Sequence, residues 1–496
     1  MMKKILRTLV KIRDWKYFQQ TTFVCILLFG FLLRLYKINS PVADWHSFRQ
    51  ADTASVSRVY VEKGVNLLYP TYYDISSTQS RKFNPNGYRF VEFPIYNAIH
   101  AILYKSFSFI DFEVWGRLLT IFTCLLSGLM VYLLGERYIG KYAGLIAAFF
   151  YVTIPFNIYF TRVILPDPLA VCFGLLAIWF FSEFLEKNKL VYTLFSGVFL
   201  SLAILVKPFL VFYSIPMLYL LVNKFPIRKI SNNSKLTIKL LVLIDVVLIP
   251  FILWRVWISK FPEGIPEWKW MFNGDGIRFR PAFWRWLFVE RIGRLILGVW
   301  GLIPFAFGLL SKSKNNFKYA FAFAVLFYFS IFATVNVRHD YYQILVIPLI
   351  SLLLAEGSRV MWKLGEEGIF NKVLSRNILV FSLMIMYSTG LYQVKEYYKI
   401  NHPEIIEAGN FVDKNTPKDS LVIAPYNGDT AFLYQTKRKG WPVIDDSLDN
   451  IIKRGADYYV SVSLNDADTS YISQMYEIAE RNNKFILIDL SKPKKK

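Results

Sequence analysis

The sequence predicts a polytopic α-helical membrane protein of about eleven transmembrane helices, followed by a small soluble α/β domain. Three observations predict it. The 496 residues are 54% hydrophobic and 18% aromatic, a composition of membrane chains. Apolar runs of about 17 to 25 residues, the length that crosses a hydrocarbon core, recur over roughly the first 390 residues and then stop. Lysine and arginine gather in alternate connectors, the asymmetry that sets orientation.

The chain opens on Lys3, Lys4, Arg7, Lys11, Arg13 and Lys16, which place the start on the cytoplasmic side. Thr21 to Leu33 resembles a signal peptide, yet Arg34, Tyr36 and Lys37 follow instead of a small-residue cleavage site, so it reads as an uncleaved anchor. Span one, about 21–39, delivers the outer segment 40–114. Inside it, Phe93 to Phe109 is apolar but carries Asn97, His100 and Lys105, which fits an amphipathic helix along the interface, with a full crossing as the competing reading. Span two (about 115–134) returns to Arg137 and Lys141, span three (about 142–160) goes out to Arg162 and Asp167, and span four (about 168–186) ends at Lys187 and Lys189. Spans five (about 190–206) and six (about 208–222) flank the Lys207-Pro208 break, before a basic loop with Lys224, Arg228, Lys229, Lys235 and Lys239. Span seven (about 240–258) leads to the second outer loop, 259–286, with Trp268, Trp270, Asp275, Arg278 and Arg280. Spans eight to eleven (about 287–310, 319–335, 343–362 and 377–393) leave Lys312, Lys314, Lys318, Lys363, Lys372 and Arg376 inside, and Arg338-His339-Asp340-Tyr341-Tyr342 outside. An odd count puts the termini on opposite sides, so the outer loops and the C-terminal domain are expected to be extracytoplasmic.

Residues 1–395 thus form the membrane domain and 400–496 the α/β domain, where the β-rich runs Leu421 to Ala424, Tyr458 to Val462 and Phe485 to Leu490 alternate with helical stretches such as Leu448 to Arg454. The net charge of +22 is spread between spans rather than gathered in a stripe, which excludes nucleic acid as a partner. Cys25, Cys124 and Cys172 each sit in an apolar run and read as packing residues, not as a disulfide or metal framework. No internal repeat is evident, which weighs against an inverted-repeat transporter.

The chemistry concentrates between Pro41 and Asp52, where Asp44, Trp45, His46, Arg49, Gln50 and Asp52 crowd together. Ionisable clusters at a bilayer are retained mostly where they line a polar cavity or react. The other outer loops add Arg89 with Glu92, Arg162 with Asp167, and Arg338 with His339, Tyr341 and Tyr342. A carboxylate beside an acceptor hydroxyl is a general base, and arginines hold a phosphate leaving group bidentately. Plainer readings stand beside these. Asp167, between two prolines, is placed to cap a helix with Pro168 at its first position. Glu92 and His339 make only two ligands for a divalent metal, the sole cofactor the pattern admits. The tyrosines and tryptophans near span ends suit interface anchors. Lys207 marks a helix end, although an outer lysine can also meet phosphate.

Asp44, Glu92-Phe93-Pro94, Leu165-Pro166-Asp167-Pro168 and the His339 to Tyr342 cluster resemble the GT-C glycosyltransferases of the protein O-mannosyltransferase and aminoarabinose-transferase superfamily, over nearly the whole membrane part. Arg438-Lys439-Gly440-Trp441 is similar to a run in bacterial members. The resemblance implies a membrane enzyme that moves a sugar from a polyprenyl-phosphate donor to a hydroxyl on a glycan, lipid or protein acceptor, with inversion, on the extracytoplasmic side. Asp44 matches the family's catalytic aspartate and Asp167 its second outer-loop aspartate. Glu92 matches an acidic residue that some members follow with a phosphate-binding lysine, and here Phe93 stands in that place. Phosphate recognition is then expected from Arg49, Arg89 and Arg338, with Lys207 or Arg278 and Arg280 next. The rival from another class is a transporter or flippase of lipid-linked saccharides, which needs its charges near mid-bilayer. A scaffold presenting the C-terminal domain would leave the paired aspartates unexplained.

Overall fold

The computed structural model describes residues 17–494 except 227, 229–231, 313–314, 365 and 367–370. The basic start Lys3 to Lys16, Lys229, Lys314 and the last two lysines lie outside the described residues.

Each predicted span is helical, but five helices are long and apolar enough to cross a membrane: Phe112–Tyr138, Asp167–Lys187, Ser234–Ile258, Asp340–Leu364 and Lys372–Tyr398. The first apolar stretch forms α1 (Phe18–Arg34), where Arg34 stops the run by turning inward. Its guanidinium donates to the Gly30 and Val152 carbonyls at 2.7 and 2.8 Å and to the Thr161 hydroxyl at 2.8 Å. Segment 40–114 contributes two shorter helices, α2 (Ser47–Lys63) and α3 (Ile95–Ser106). At 12 residues, α3 extends about 18 Å, too short for the full crossing weighed from sequence. Instead its polar face is tied to neighbours: Asn97 donates to the Thr53 carbonyl at 2.7 Å, and Tyr96 to the Gly116 carbonyl at 2.7 Å.

Next come α4 (Phe112–Tyr138), α5 (Ala143–Thr153), α6 (Asp167–Lys187), α7 (Leu190–Val206) and α8 (Ser234–Ile258). Predicted span three is not continuous, because Pro155 opens a separate helix, Pro155–Phe160. Span six likewise begins as a 3₁₀ turn, Pro208–Tyr213. Leu248, Ile249, Ile252, Leu253 and Val256 of α8 are exposed, the pattern of a helix bathed in lipid. Span eight is a π-helix, Trp286–Ile296, broken before α9 (Leu302–Leu310). After α10 (Phe317–Ile331), α11 (Ile347–Leu364) crosses α9 at backbone contact. A Cβ at Gly357 would stand 1.7 Å from the Pro304 carbonyl oxygen, so only glycine fits that crossing. The last long helix is α12 (Lys372–Val394).

The C-terminal segment begins with α13 (Glu404–Asn415) and carries a five-stranded sheet with β1 (Leu421–Ile423), β2 (Gly440–Trp441), β3 (Ala456–Ser461), β4 (Tyr476–Arg481) and β5 (Ile486–Pro493). Strand order is β2-β1-β3-β5-β4, parallel on the β2-β1-β3 side and antiparallel on the other. This segment does not stand apart: Val422, Phe432 and Leu433 share one apolar core with Val42, Ala51 and Ala54. Backbone bonds Ile75 N to Gly440 O (3.0 Å) and Gly440 N to Tyr73 O (2.9 Å) stitch it to the outer segment. The Arg438-Lys439-Gly440-Trp441 run is part of that joint. Arg438, fully buried, donates to Asp413 at 3.0 Å and to the Thr416 and Pro417 carbonyls at 2.9 and 2.7 Å, holding the end of α13 against β2.

Candidate active site

At one end of the helix bundle a cavity of about 550 Å³ opens between α2, the Lys207-Pro208 break, loop 259–286 and the His339 to Tyr342 turn. Four cations line it, Arg49, Arg89, Lys207 and Arg255, against one carboxylate, Glu267, and Phe90, Trp268, Trp270, Phe272 and Tyr342 supply aromatic wall. An anion with an apolar body matches this lining.

Lys207 is the centre of the polar side. Because Pro208 cannot continue α7, the chain turns in extended backbone at Lys207 and aims its side chain back under the helix ends. Its Nζ lies 2.9 Å from Glu92 Oε1 and 3.3 Å from Asp167 Oδ1, and 5.4 Å from the centre of the Tyr342 ring. Arg49 takes the same Glu92 oxygen. Two cations and two carboxylates therefore meet in one buried network, with Asp167 wholly shielded at the first turn of α6. Burial pulls the Lys207 ammonium below the usual lysine range. Asp167 sits in the first helical turn next to Pro168, as the capping reading expected, but makes no side-chain cap bond; its partner is Lys207.

Arg89 is held by Asp52 and stacks 5.0 Å from the centre of the Tyr72 ring. Asp52 in turn accepts a 2.6 Å bond from the hydroxyl of Thr430 in the C-terminal segment. The Nε and Nη1 donors of Arg89 are buried without a partner among the described residues. Donors left open in this way at a cavity wall are placed to receive an anion.

Asp44 lies behind this cavity rather than in its wall. It is buried, accepts from Gln50 Nε2 at 2.6 Å, and faces Arg162 Nη1 at 3.4 Å. Arg162 is itself fixed to the Lys37 carbonyl at 2.8 Å. Beside it is a pair that sequence spacing did not disclose: His46 Nε2 lies 2.6 Å from Asp340 Oδ1. Asp340 Oδ2 accepts from Tyr397 at 2.6 Å and from the Trp45 indole at 3.1 Å. The His46 ring packs against His339 and Tyr341, which line the cavity.

Of the residues singled out from sequence, Arg49, Glu92, Asp167 and Tyr342 come together around Lys207, Arg89 joins them across the cavity, and His339 and Tyr341 form its far wall. Burial keeps the His339 imidazole neutral, its pKa down at about 4. Arg338 goes elsewhere: its side chain is half exposed, pairs with Asp275 at 3.4 Å and lies over Trp270, outside the cavity wall. The metal pairing of Glu92 with His339 does not fit either. Glu92 is already bound by two cations, and no group of three metal-ligating side chains is assembled among the described residues.

Residues 94–254 match the family model of dolichyl-phosphate-mannose-protein mannosyltransferases. No curated protein matches the sequence. Among solved structures, ArnT from Cupriavidus metallidurans bound to undecaprenyl phosphate aligns with a TM-score of 0.61 at 12% identity, over 96% of this chain and 98% of that one. The archaeal oligosaccharyltransferase AglB from Archaeoglobus fulgidus, in complex with an inhibitory peptide and a dolichol-phosphate, gives 0.56 at 12% identity over 95% and 74%. The arabinofuranosyltransferase AftD from Mycobacteria gives 0.57 at 12% identity, over 94% of this chain and 40% of that one. At such identities the likeness establishes the fold. The chain has the GT-C fold, and with five apolar helices long enough to cross it is a multi-pass membrane protein.

Proposed function

We propose that this GT-C-fold chain is a membrane glycosyltransferase that transfers a sugar from a polyprenyl-phosphate donor to a hydroxyl acceptor, with inversion, on the extracytoplasmic side. The observation that carries the reading is the aromatic-walled cavity on which Arg49, Arg89 and Lys207 converge. Those cations match the phosphate of a lipid carrier and the aromatic wall its prenyl chain or sugar. In this reading Lys207, paired with Glu92 at the cavity, supplies the cation that Phe93 cannot, while Arg338 is paired with Asp275 outside the cavity wall.

The reaction is one displacement. The acceptor oxygen attacks the anomeric carbon, the bond from that carbon to the phosphate oxygen breaks, and polyprenyl phosphate departs with the electron pair. The acceptor proton passes to a base. Asp44 is the first candidate, on its match to the family position, with Gln50 and Arg162 fixing its carboxylate. A second base is favoured by the His46–Asp340 pair at 2.6 Å, since a carboxylate on one ring nitrogen orients the imidazole and strengthens its other nitrogen as an acceptor. Cationic partners stabilise the departing phosphate, the role that preorganised charge plays best.

In this reading 1–395 is the catalytic membrane domain, crossing eleven times, and 400–496 an extracytoplasmic domain that helps complete the site. The test is to incubate the purified protein in lipid nanodiscs with a panel of polyprenyl-phosphate sugars and to measure release of polyprenyl phosphate. Release that requires an added acceptor is expected. Failure of every donor to turn over, with or without acceptor, sinks the proposal.

A further inference from the structure

A second cavity, of about 580 Å³, lies between α2, the start of α4 and the C-terminal segment, and nothing in the transfer site uses it. Its lining differs in kind from the first. Arg58 and Lys437 are its cations, and both are already engaged, Arg58 with Glu113 and Lys437 with Asp413 at 2.8 Å. Against them stand three carboxylates, Glu62, Asp111 and Glu113, so the wall carries more negative than positive charge and disfavours phosphate. Around it Asn39, Ser108, Asp111 and Asn410 are exposed to solvent, make no side-chain hydrogen bond among the described residues, and line one concave space. Behind them Arg58 is stacked between rings, 5.0 Å from the centre of Phe112 and 4.5 Å from that of Tyr434. Amides, hydroxyls and carboxylates converging before an aromatic floor are the recognition set for an uncharged, hydroxyl-rich ligand.

The two cavities are joined by one rod. Arg49 at the start of α2 lines the first and Arg58 on the same helix lines the second, nine residues apart, or about 14 Å along the axis. Flanking the lining residue Ser108 in the chain, Phe107 and Phe109 are exposed and stand with Trp115 as an aromatic patch, the signature of a membrane-water boundary.

We infer that the second cavity is a subsite for the neutral saccharide of an extended glycan acceptor, held at the membrane surface away from the point of transfer. The inference rests on the transferase reading for the word acceptor, while the binding site itself does not. It gives the C-terminal segment a task, since Asn410 and Lys437 close one side of the cavity.

The test uses the full chain in nanodiscs on an array of neutral hexose and pentose oligosaccharides, printed both free and polyprenol-linked. Binding to at least one neutral glycan is expected, weakened at least tenfold by Asp111→Ala and abolished by Asn410→Trp, which fills the space from an exposed position. A bound free glycan should also shield Ser108→Cys from maleimide labelling; if only polyprenol-linked forms bind and shield, the ligand is a glycolipid head. No neutral glycan bound, or binding unaffected by Asn410→Trp, overturns the inference. Polyprenyl phosphate release is scored separately on the wild type, so a protein that binds glycan but releases nothing loses the transferase reading and keeps the site.

Discussion

Replacing Lys207 with methionine separates phosphate recognition from structural charge balance. In the folded chain Lys207 Nζ is 2.9 Å from Glu92 and 3.3 Å from Asp167, and is buried with Asp167. Lys207→Met leaves Asp167 shielded from water without its cation, and removing one partner of a buried pair costs about 3–5 kcal/mol unless the survivor takes up a proton. Asp167→Asn in the same chain removes the stranded charge, so the double variant should recover most of the lost thermal stability. Donor affinity should not recover. A hydrogen bond from a charged group contributes about 1.5–3 kcal/mol, so the double variant should bind polyprenyl phosphate roughly tenfold to a hundredfold more weakly than wild type. Thermal unfolding in nanodiscs reads the first effect and titration with polyprenyl phosphate the second. A double variant that melts like wild type and binds within twofold of it would refute the placement of the phosphate at Lys207.

Asp44→Asn and His46→Gln distinguish the two bases: loss of a positioned general base lowers turnover by about two to four orders of magnitude, and the variant that keeps wild-type turnover excludes its residue. Asp74 is buried and its carboxyl is pushed up from 3.8 to about 6 by that burial, so the folded state holds its proton more tightly than the unfolded one. Stability therefore falls as pH rises from about 4 to 6, and the full penalty, about 3 kcal/mol, is present above that window. Asp74→Asn should accordingly melt higher than wild type at pH 7.5 and equal it near pH 4; equal melting at both values contradicts this. Gly357→Ala drives a methyl group into the Pro304 carbonyl and should destabilise by about 3 kcal/mol or more, read as a lowered unfolding midpoint. Single cysteines at Ser47, Asn273 and Ser463 should all react with an impermeant label from outside, and labelling at 463 only after permeabilisation would overturn the eleven-crossing arrangement.

The helical stretches were legible because the hydrocarbon thickness imposes a length on any apolar run, and Pro208 marked where two of them part, whereas Pro155 lies inside a run whose length and polarity read as one crossing. The π-helical course of Trp286–Ile296 carries no such mark. Helix α2 was hidden for a different reason. Its sequence has no apolar stripe, yet Arg49, Gln50, Asp52, Thr53, Ser55 and Ser57 are all buried: Glu92, Arg89 and Thr430 from distant segments hold Arg49 and Asp52, Asn97 donates to the Thr53 carbonyl, and Gln50 bonds the nearby Asp44. The site shows the same division. Asp44, Glu92 and Asp167 stand in local motifs, whereas the meeting of Lys207 with Glu92, or of His46 with Asp340, is made by packing across more than a hundred residues and leaves no spacing to read. Arg338 misled for the converse reason: lying beside His339 in sequence does not turn it toward the cavity.

The bond from Thr430 to Asp52 spans 378 positions, and through Asp52 it bears on the arginine at the cavity wall. At roughly 5–20 residues per second of synthesis, Asp52 waits roughly 20 to 75 seconds for its hydroxyl partner to be made. During that interval the bundle can assemble around a half-finished anion site. A product that ends before residue 430 would keep every cation that lines the cavity and lack the group that finishes their arrangement. The last contact of the Asp52–Arg89 pair therefore waits on the C-terminal segment, so that side of the cavity is completed only after most of the polypeptide has been made.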